Sequence, residues 1–253
     1  MTETGFRGRV AVVTGGTRGI GQSVVEQLAD QGAVVAAFYA HSDDRADQLT
    51  ARYRARRWPI TLIKVAVEDA VAVAEGVLAV ERQLGPIRYL VNNAGVVRDN
   101  WAALMTDEEW KAVFQVNFYG TVVCAQAIIP GMVKRGTGSV VNVVSVSGLQ
   151  GRANQANYSA AKGAVIGLTR LLAKRYGPGG VQINAVAPGL VATDMMAETP
   201  AKAQRALLEG THLGRPGTAE EVARLIIAGL SPSAGYSSGS VFVADGGWLS
   251  EMQ

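Results

Sequence analysis

The chain has 253 residues, 48% of them hydrophobic and 18% charged, and so apolar a composition can bury enough surface to offset its conformational entropy, which excludes disorder. Its 30 glycines are in excess of the usual ~7% but follow no G-X-Y triplet, which excludes collagen. A formal net charge of +3, from 24 basic against 21 acidic residues, is too small for a nucleic-acid binder.

From the N-terminus, residues 1–7 lack the charged and apolar regions of a signal peptide. Strands are predicted at residues 10–14, 34–38, 60–65, 89–91, 140–144, 183–186 and 241–243. These runs are apolar throughout, without the alternation of a sheet wetted on one face, so both faces should be covered. Helical patterns lie between them, among them 22–31, 107–135 and 157–176. The β-α-β-α rhythm predicts an α/β fold, a doubly wound Rossmann-like parallel sheet of seven strands with helices on both faces. No linker or repeat breaks it, so residues 1–253 are expected to form one domain, with a cofactor half over about 8–145 and a catalytic half over about 146–250. Residues 188–217 form a long excursion without a strand pattern, and 190–217 is the expected substrate lid.

No apolar run approaches the ~20 residues of a membrane span. A lone cysteine, Cys124, cannot build a disulfide or thiolate metal site and points to a reducing, cytoplasmic setting. His41 and His212 are not spaced as metal ligands, so no metal is expected.

The first strand runs into Thr14-Gly15-Gly16-Thr17-Arg18-Gly19-Ile20-Gly21. In such a strand-to-helix turn Gly15 permits the bend, Gly19 lets backbone approach a phosphate, and Gly21 lets helix pack on strand. The helix N-terminus then presents unpaired N–H groups and a positive dipole end to a pyrophosphate. Added to this are Asn92-Asn93-Ala94-Gly95, Ser145, Tyr158-x-x-x-Lys162 and Pro188-Gly189, each following a predicted strand or lying on a predicted helix. In this order and spacing, from Gly8 to Trp248, the set resembles the short-chain dehydrogenases/reductases.

The second strand ends in Tyr39 where an enzyme for NAD would carry an Asp or Glu on the ribose, and no carboxylate precedes Asp43. Arg18, Ser42 and His41 can instead meet a 2′-phosphate, so NADPH is the expected cofactor. The resemblance further implies adenine contacts at the Val67 backbone, where Ala66 replaces the family's usual Asp. It places Asn93, Ala94 and Gly95 at the ribose and nicotinamide, and Pro188, Gly189, Val191 and Thr193 around the carboxamide. Thr17 and Ile20 complete the pyrophosphate loop.

Tyr158 and Lys162 are four residues apart on a predicted helix and so share a face. A phenol is a poor acid or base at neutral pH, but a nearby ammonium favours phenolate. The resemblance implies that Tyr158 exchanges a proton with the substrate oxygen and Ser145 orients that oxygen. Lys162 holds the ribose and lowers the tyrosine pKa, and the Asn117 backbone carbonyl holds a relay water. Ser147 competes with Ser145, which is preferred because it stands thirteen residues before Tyr158 as in the family.

Val97-Arg98-Asp99-Asn100, Gln155-Ala156-Asn157 and Leu213-Gly214-Arg215-Pro216-Gly217 resemble the 3-oxoacyl-[acyl-carrier-protein] reductase branch, which implies reduction of a β-ketoacyl thioester to its (3R)-hydroxy product. A polyketide ketoreductase or another secondary-alcohol dehydrogenase is the alternative within the fold, and an NADPH-sensing regulator the alternative outside catalysis. Arg152, Trp101, Gly136 and Gly179 depart from the branch's usual residues. Lys134, Arg135, Lys174 and Arg175 could face an acidic acyl carrier protein, and the resemblance implies a homotetramer.

Overall fold

The computed structural model describes residues 5–197 and 208–252. Seven parallel strands, β1 (Val10–Thr14), β2 (Val34–Tyr39), β3 (Ile60–Lys64), β4 (Ile87–Asn92), β5 (Gly138–Val143), β6 (Val181–Pro188) and β7 (Val241–Ala244), pair in the order β3-β2-β1-β4-β5-β6-β7. The order reverses between β1 and β4, which opens a crevice at their carboxyl ends.

Among the described residues the α-helices are α1 (Gly19–Asp30), α2 (Asp43–Ala55), α3 (Ala70–Gln83), α4 (Asp107–Phe114), α5 (Gly120–Lys134), α6 (Ser147–Gln150), α7 (Ala156–Tyr176), α8 (Asp194–Ala197) and α9 (Ala219–Leu230). The unbroken apolar strands are explained by two cores, one on each face. In β1, Ala11 and Val13 point toward Val24, Leu28 and Ile226 of α1 and α9. Val10 and Val12 point the other way, toward Val77, Ile129 and Met132 of α3 and α5. Successive strand side chains alternate between faces, so a strand covered twice must be apolar twice. Cys124 is fully buried in the second core, and burial pushes its thiol up to about 12.

The helix predicted over 107–135 differs in one respect. Its middle, Gln115–Tyr119, is a π-helical turn, in which the Gly120 N–H reaches back to the Gln115 carbonyl. The whole run Asp107–Lys134, 28 residues, is long and apolar enough to cross a membrane by length and composition, contrary to the sequence reading. Half of its apolar window is buried inside the fold. In the excursion after β6, Val191 pairs with Gly217 in a single parallel bridge, so the segment leaves and returns at one point. Residues 198–207 of the expected lid lie outside the described residues.

Candidate active site

The crevice is held open by its own hydrogen bonds. Thr14, at the end of β1, accepts from the N–H groups of Asn93 (2.9 Å) and Ala94 (3.0 Å) through its hydroxyl oxygen. Asn93 returns its side-chain amide to the carbonyls of Thr14 (3.0 Å) and Gly15 (3.2 Å). The Asn93 backbone N–H and side-chain NH2 are therefore both committed to the end of β1 and the glycine loop.

Gly19 takes φ +51°, a left-handed conformation that lets the chain turn into α1. At Gly21 a Cβ would lie 2.2 Å from the Gly15 carbonyl oxygen, so the helix approaches the strand end as closely as backbone allows. Unlike α3, α4 and α9, α1 starts without a side-chain cap, and unlike α4 and α9 it has no acid in its first turn. Its leading N–H groups are thus left for an external acceptor, which fits an anionic phosphate. Thr193 closes the other side, its methyl 3.3 Å from where a Gly19 Cβ would stand. The turn at Pro188, Gly189, Val191 and Thr193 therefore faces the glycine loop across the crevice. Gly189 also has a local reason to be small, because its Cβ would sit 2.8 Å from the Asp245 backbone.

At the far end Tyr39 closes β2. Burial and the neighbouring Asp43 carboxylate raise its phenol pKa. Asp43 in turn pairs with Lys64 at 2.6 Å on the surface. Ser42 has φ 71° and spends no side-chain bond on capping α2. The Arg18 side chain is exposed and makes no hydrogen bond or ion pair among the described residues, and His41 is exposed beside Ser42. Sequence reading missed Arg45. From the first turn of α2 it donates to the Thr17 carbonyl at 2.7 Å and to Gln22 at 3.1 Å. It lies 28 residues from Thr17 with no motif of its own, and only the fold brings it there. Val67 is buried, and a Cβ on Gly120 would stand 2.5 Å from its side chain.

At the opposite end of the crevice the chemistry-bearing side chains meet. Ser145, just past β5, faces the phenol of Tyr158 on α7 and hydrogen-bonds it. Burial pushes that phenol up to about 12, the Ser145 bond and Arg152 pulling against it and Asp99 adding to it. Lys162, 4% exposed, donates to the Val143 carbonyl at 2.8 Å and sits 5.7 Å from the centre of the Tyr158 ring. Burial pulls its ammonium down to about 8. The Lys162 ammonium is turned to the Val143 carbonyl while remaining near the Tyr158 ring, and burial governs its own proton.

Ser147, the rival of Ser145, turns its hydroxyl to Gln155, to which it donates at 3.2 Å. Asn117 is fully buried in the π turn, its amide donating to the carbonyls of Val96 (2.8 Å) and Val113 (2.9 Å). Its backbone carbonyl accepts from the Thr121 hydroxyl at 2.9 Å. Gly95 passes so close that a Cβ would lie 2.5 Å from the Asn117 oxygen and 3.5 Å from Lys162 Nζ. The motif residues from β4, the π turn and α7 thus converge on one spot.

Residues 9–204 match the short chain dehydrogenase family. The chain belongs to that family. This short-chain dehydrogenase is 38% identical over 240 residues to the acetoacetyl-CoA reductase of Shinella zoogloeoides, covering 94% of this chain and 98% of that one. It is 38% identical over 247 residues to the 3-oxoacyl-[acyl-carrier-protein] reductase of Synechocystis, covering 97% and 99%. Its fold superposes on the crystal structure of gox2181 with a TM-score of 0.94 at 30% identity, covering 98% of both chains.

Two further contacts fix the catalytic helix of the dehydrogenase. Gln155, which precedes α7, donates to both oxygens of Asp99 at 3.1 and 3.0 Å. Asn157 donates to the carbonyls of Arg98 (3.0 Å) and Glu109 (3.3 Å) while accepting from the Tyr158 N–H. These polar side chains stood in the sequence as marks of resemblance only, and their positioning role appears once the 98–100 loop is folded against α7.

Proposed function

We propose that this protein reduces the 3-oxo group of a β-ketoacyl thioester to the (3R)-hydroxy product with NADPH. The observation that carries this reading is the convergence of Ser145, Tyr158 and Lys162 at one end of a crevice whose other end offers backbone N–H groups and an unpaired arginine. The reductase names of the two relatives support the substrate class.

Backbone N–H groups along Gly15, Thr17, Gly19, Ile20 and Gly21 hold the pyrophosphate. Arg18, Ser42 and His41 hold the 2′-phosphate beside Tyr39, and Val67 borders the adenine. Asn93, Ala94 and Gly95 lie along the ribose, with Pro188, Gly189, Val191 and Thr193 at the carboxamide. When bound, the dinucleotide supplies the hydride that reduces the carbonyl carbon. Ser145 donates a hydrogen bond to the carbonyl oxygen and fixes its direction. Tyr158 then gives its proton to that oxygen as negative charge develops there. A phenol held near 12 keeps its proton at neutral pH, so the group that must give up a proton in reduction carries one. Lys162 binds the ribose hydroxyls, and the Asn117 carbonyl holds the water that returns a proton through Lys162.

We assign a homotetramer, paired through α4–α5, α7 and the exposed edge β7, which light scattering would check. We also assign a cytoplasmic setting, in keeping with a single buried cysteine. For carrier docking, Arg135 is already bound to the Ile87 carbonyl at 2.7 Å, so the exposed Lys134, Lys174 and Arg175 are the cations we assign to it. The test is oxidation of NADPH by purified protein with acetoacetyl-CoA and with the carrier-linked thioester. No turnover of either would overturn the proposal.

A further inference from the structure

The cleft beside Ser145 has a polar corner that the reaction above does not use. Its wall includes Ser145, Ser147, Leu190, Thr211, Trp248 and the side chain of Arg152. Arg152 is half-buried, and its guanidinium makes no hydrogen bond or ion pair among the described residues. A partly desolvated guanidinium without an acceptor is costly, and its planar fork is suited to carbonyl or carboxylate oxygens.

The loop that presents Arg152 is fixed rather than slack. It is bracketed by two left-handed residues, Gly151 at φ 80° and Asn154 at φ 65°. The Asn154 carbonyl accepts from the Asn100 N–H at 2.9 Å, and the Arg152 carbonyl accepts from the Gln155 N–H at 3.1 Å. Gln155 is itself tied to Asp99. A fixed backbone at Arg152 leaves only side-chain freedom to be lost on binding.

We propose that Arg152 is a specificity-determining residue that binds a second substrate oxygen, β to the carbonyl being reduced. This rests on the reading of a β-ketoacyl thioester. The C3 oxygen lies between Ser145 and Tyr158, while the thioester carbonyl oxygen accepts from Arg152 and the short acyl end lies against Leu190 and Trp248. The site then distinguishes a 1,3-dicarbonyl substrate from a simple ketone. Proximity of the guanidinium to the phenol is independently visible in its effect on the Tyr158 proton.

The test compares unaltered enzyme, Arg152→Met and Arg152→Lys on three substrates with NADPH: the N-acetylcysteamine thioester of acetoacetate, free acetoacetate and 2-pentanone. For Arg152→Met, kcat/KM on the thioester is expected to fall about 10- to 100-fold, mainly through KM, as for loss of a charge-assisted hydrogen bond. Turnover of 2-pentanone should fall much less than that of the thioester, and Arg152→Lys should restore part of the thioester loss. Equal losses on thioester and ketone, or no loss on either, would overturn the inference while leaving the reaction intact. A strong preference for free acetoacetate, dependent on Arg152, would also overturn it, because the partner would then be a carboxylate. If unaltered enzyme reduces no thioester, the functional reading fails first and the inference with it. NADPH binding by fluorescence titration identifies any variant that has simply misfolded.

Discussion

Lys162 donates to the Val143 carbonyl at 2.8 Å, with its charge buried beneath the catalytic helix. Burial pulls its pKa from 10.5 to about 8. At about 1.4 kcal/mol per unit this is a cost of about 3 kcal/mol at neutral pH. Between pH 8 and 10.5 the unfolded chain holds the proton and the folded one does not, so stability rises with pH across that window.

Lys162→Met should therefore be more stable than the parent at pH 7 and largely inactive. Loss of the bond to Val143 offsets about 1 kcal/mol of the gain. Urea unfolding at pH 7, 9 and 10 should show a shallower rise in the variant. The same pH slope in both proteins would show that the ammonium is not the source.

The Tyr158 proton has the opposite sign. With a pKa near 12 the phenol is protonated throughout the physiological range. Reduction should show no loss from its titration up to pH 9, whereas oxidation of the hydroxy product, which needs phenolate, should accelerate with rising pH. Tyr158→Phe should lower kcat in both directions about 10²- to 10⁴-fold, with the thermal midpoint nearly unchanged. Rate profiles in each direction check this.

Two glycines should respond oppositely to the same methyl group. Gly21→Ala drives a Cβ to 2.2 Å from a backbone oxygen, so we expect a loss of about 2–3 kcal/mol, as for overpacking, together with loss of dinucleotide binding. Gly167, in α7, has nothing within 4 Å of its Cβ position, so Gly167→Ala should stabilise by about 0.5–1 kcal/mol. Denaturant midpoints of the pair provide the comparison.

Arg18 and Arg45 divide the work at the far end of the crevice. Arg18→Ala should weaken NADPH by about tenfold or more and leave NADH unaffected, as expected for an arginine that meets only the 2′-phosphate. Arg45 holds the Thr17 carbonyl, so Arg45→Ala should weaken both dinucleotides alike. Titration of each variant with both cofactors separates the two roles.

The sheet was legible because burial on two faces leaves uninterrupted apolar runs. The seven predicted strands lie within a few residues of the observed ones, and Ser145, Tyr158 and Lys162, singled out by the resemblance, lie together in the structure. What stayed hidden depends on side-chain direction or long-range contact. Spacing puts Lys162 on the tyrosine's face but says nothing of its turn toward Val143. Arg45 has no local pattern, and Asp99 stood only inside a stretch that marked resemblance; their contacts arise where α2 meets the glycine loop and the 98–100 loop meets α7. The π turn has no hydrophobic signature, because its apolar neighbours read as one continuous helix.

That turn has a consequence for tolerance to change. An α-helix advances about 100° per residue, so the extra residue in Gln115–Tyr119 sets the rotational phase between α4, which packs on α7, and α5, which packs on α3 and the sheet. Deleting any one residue there would swing Val113 away from the core even with every side chain's chemistry preserved. In this stretch the count of residues, more than their identity, couples the catalytic helix to the sheet.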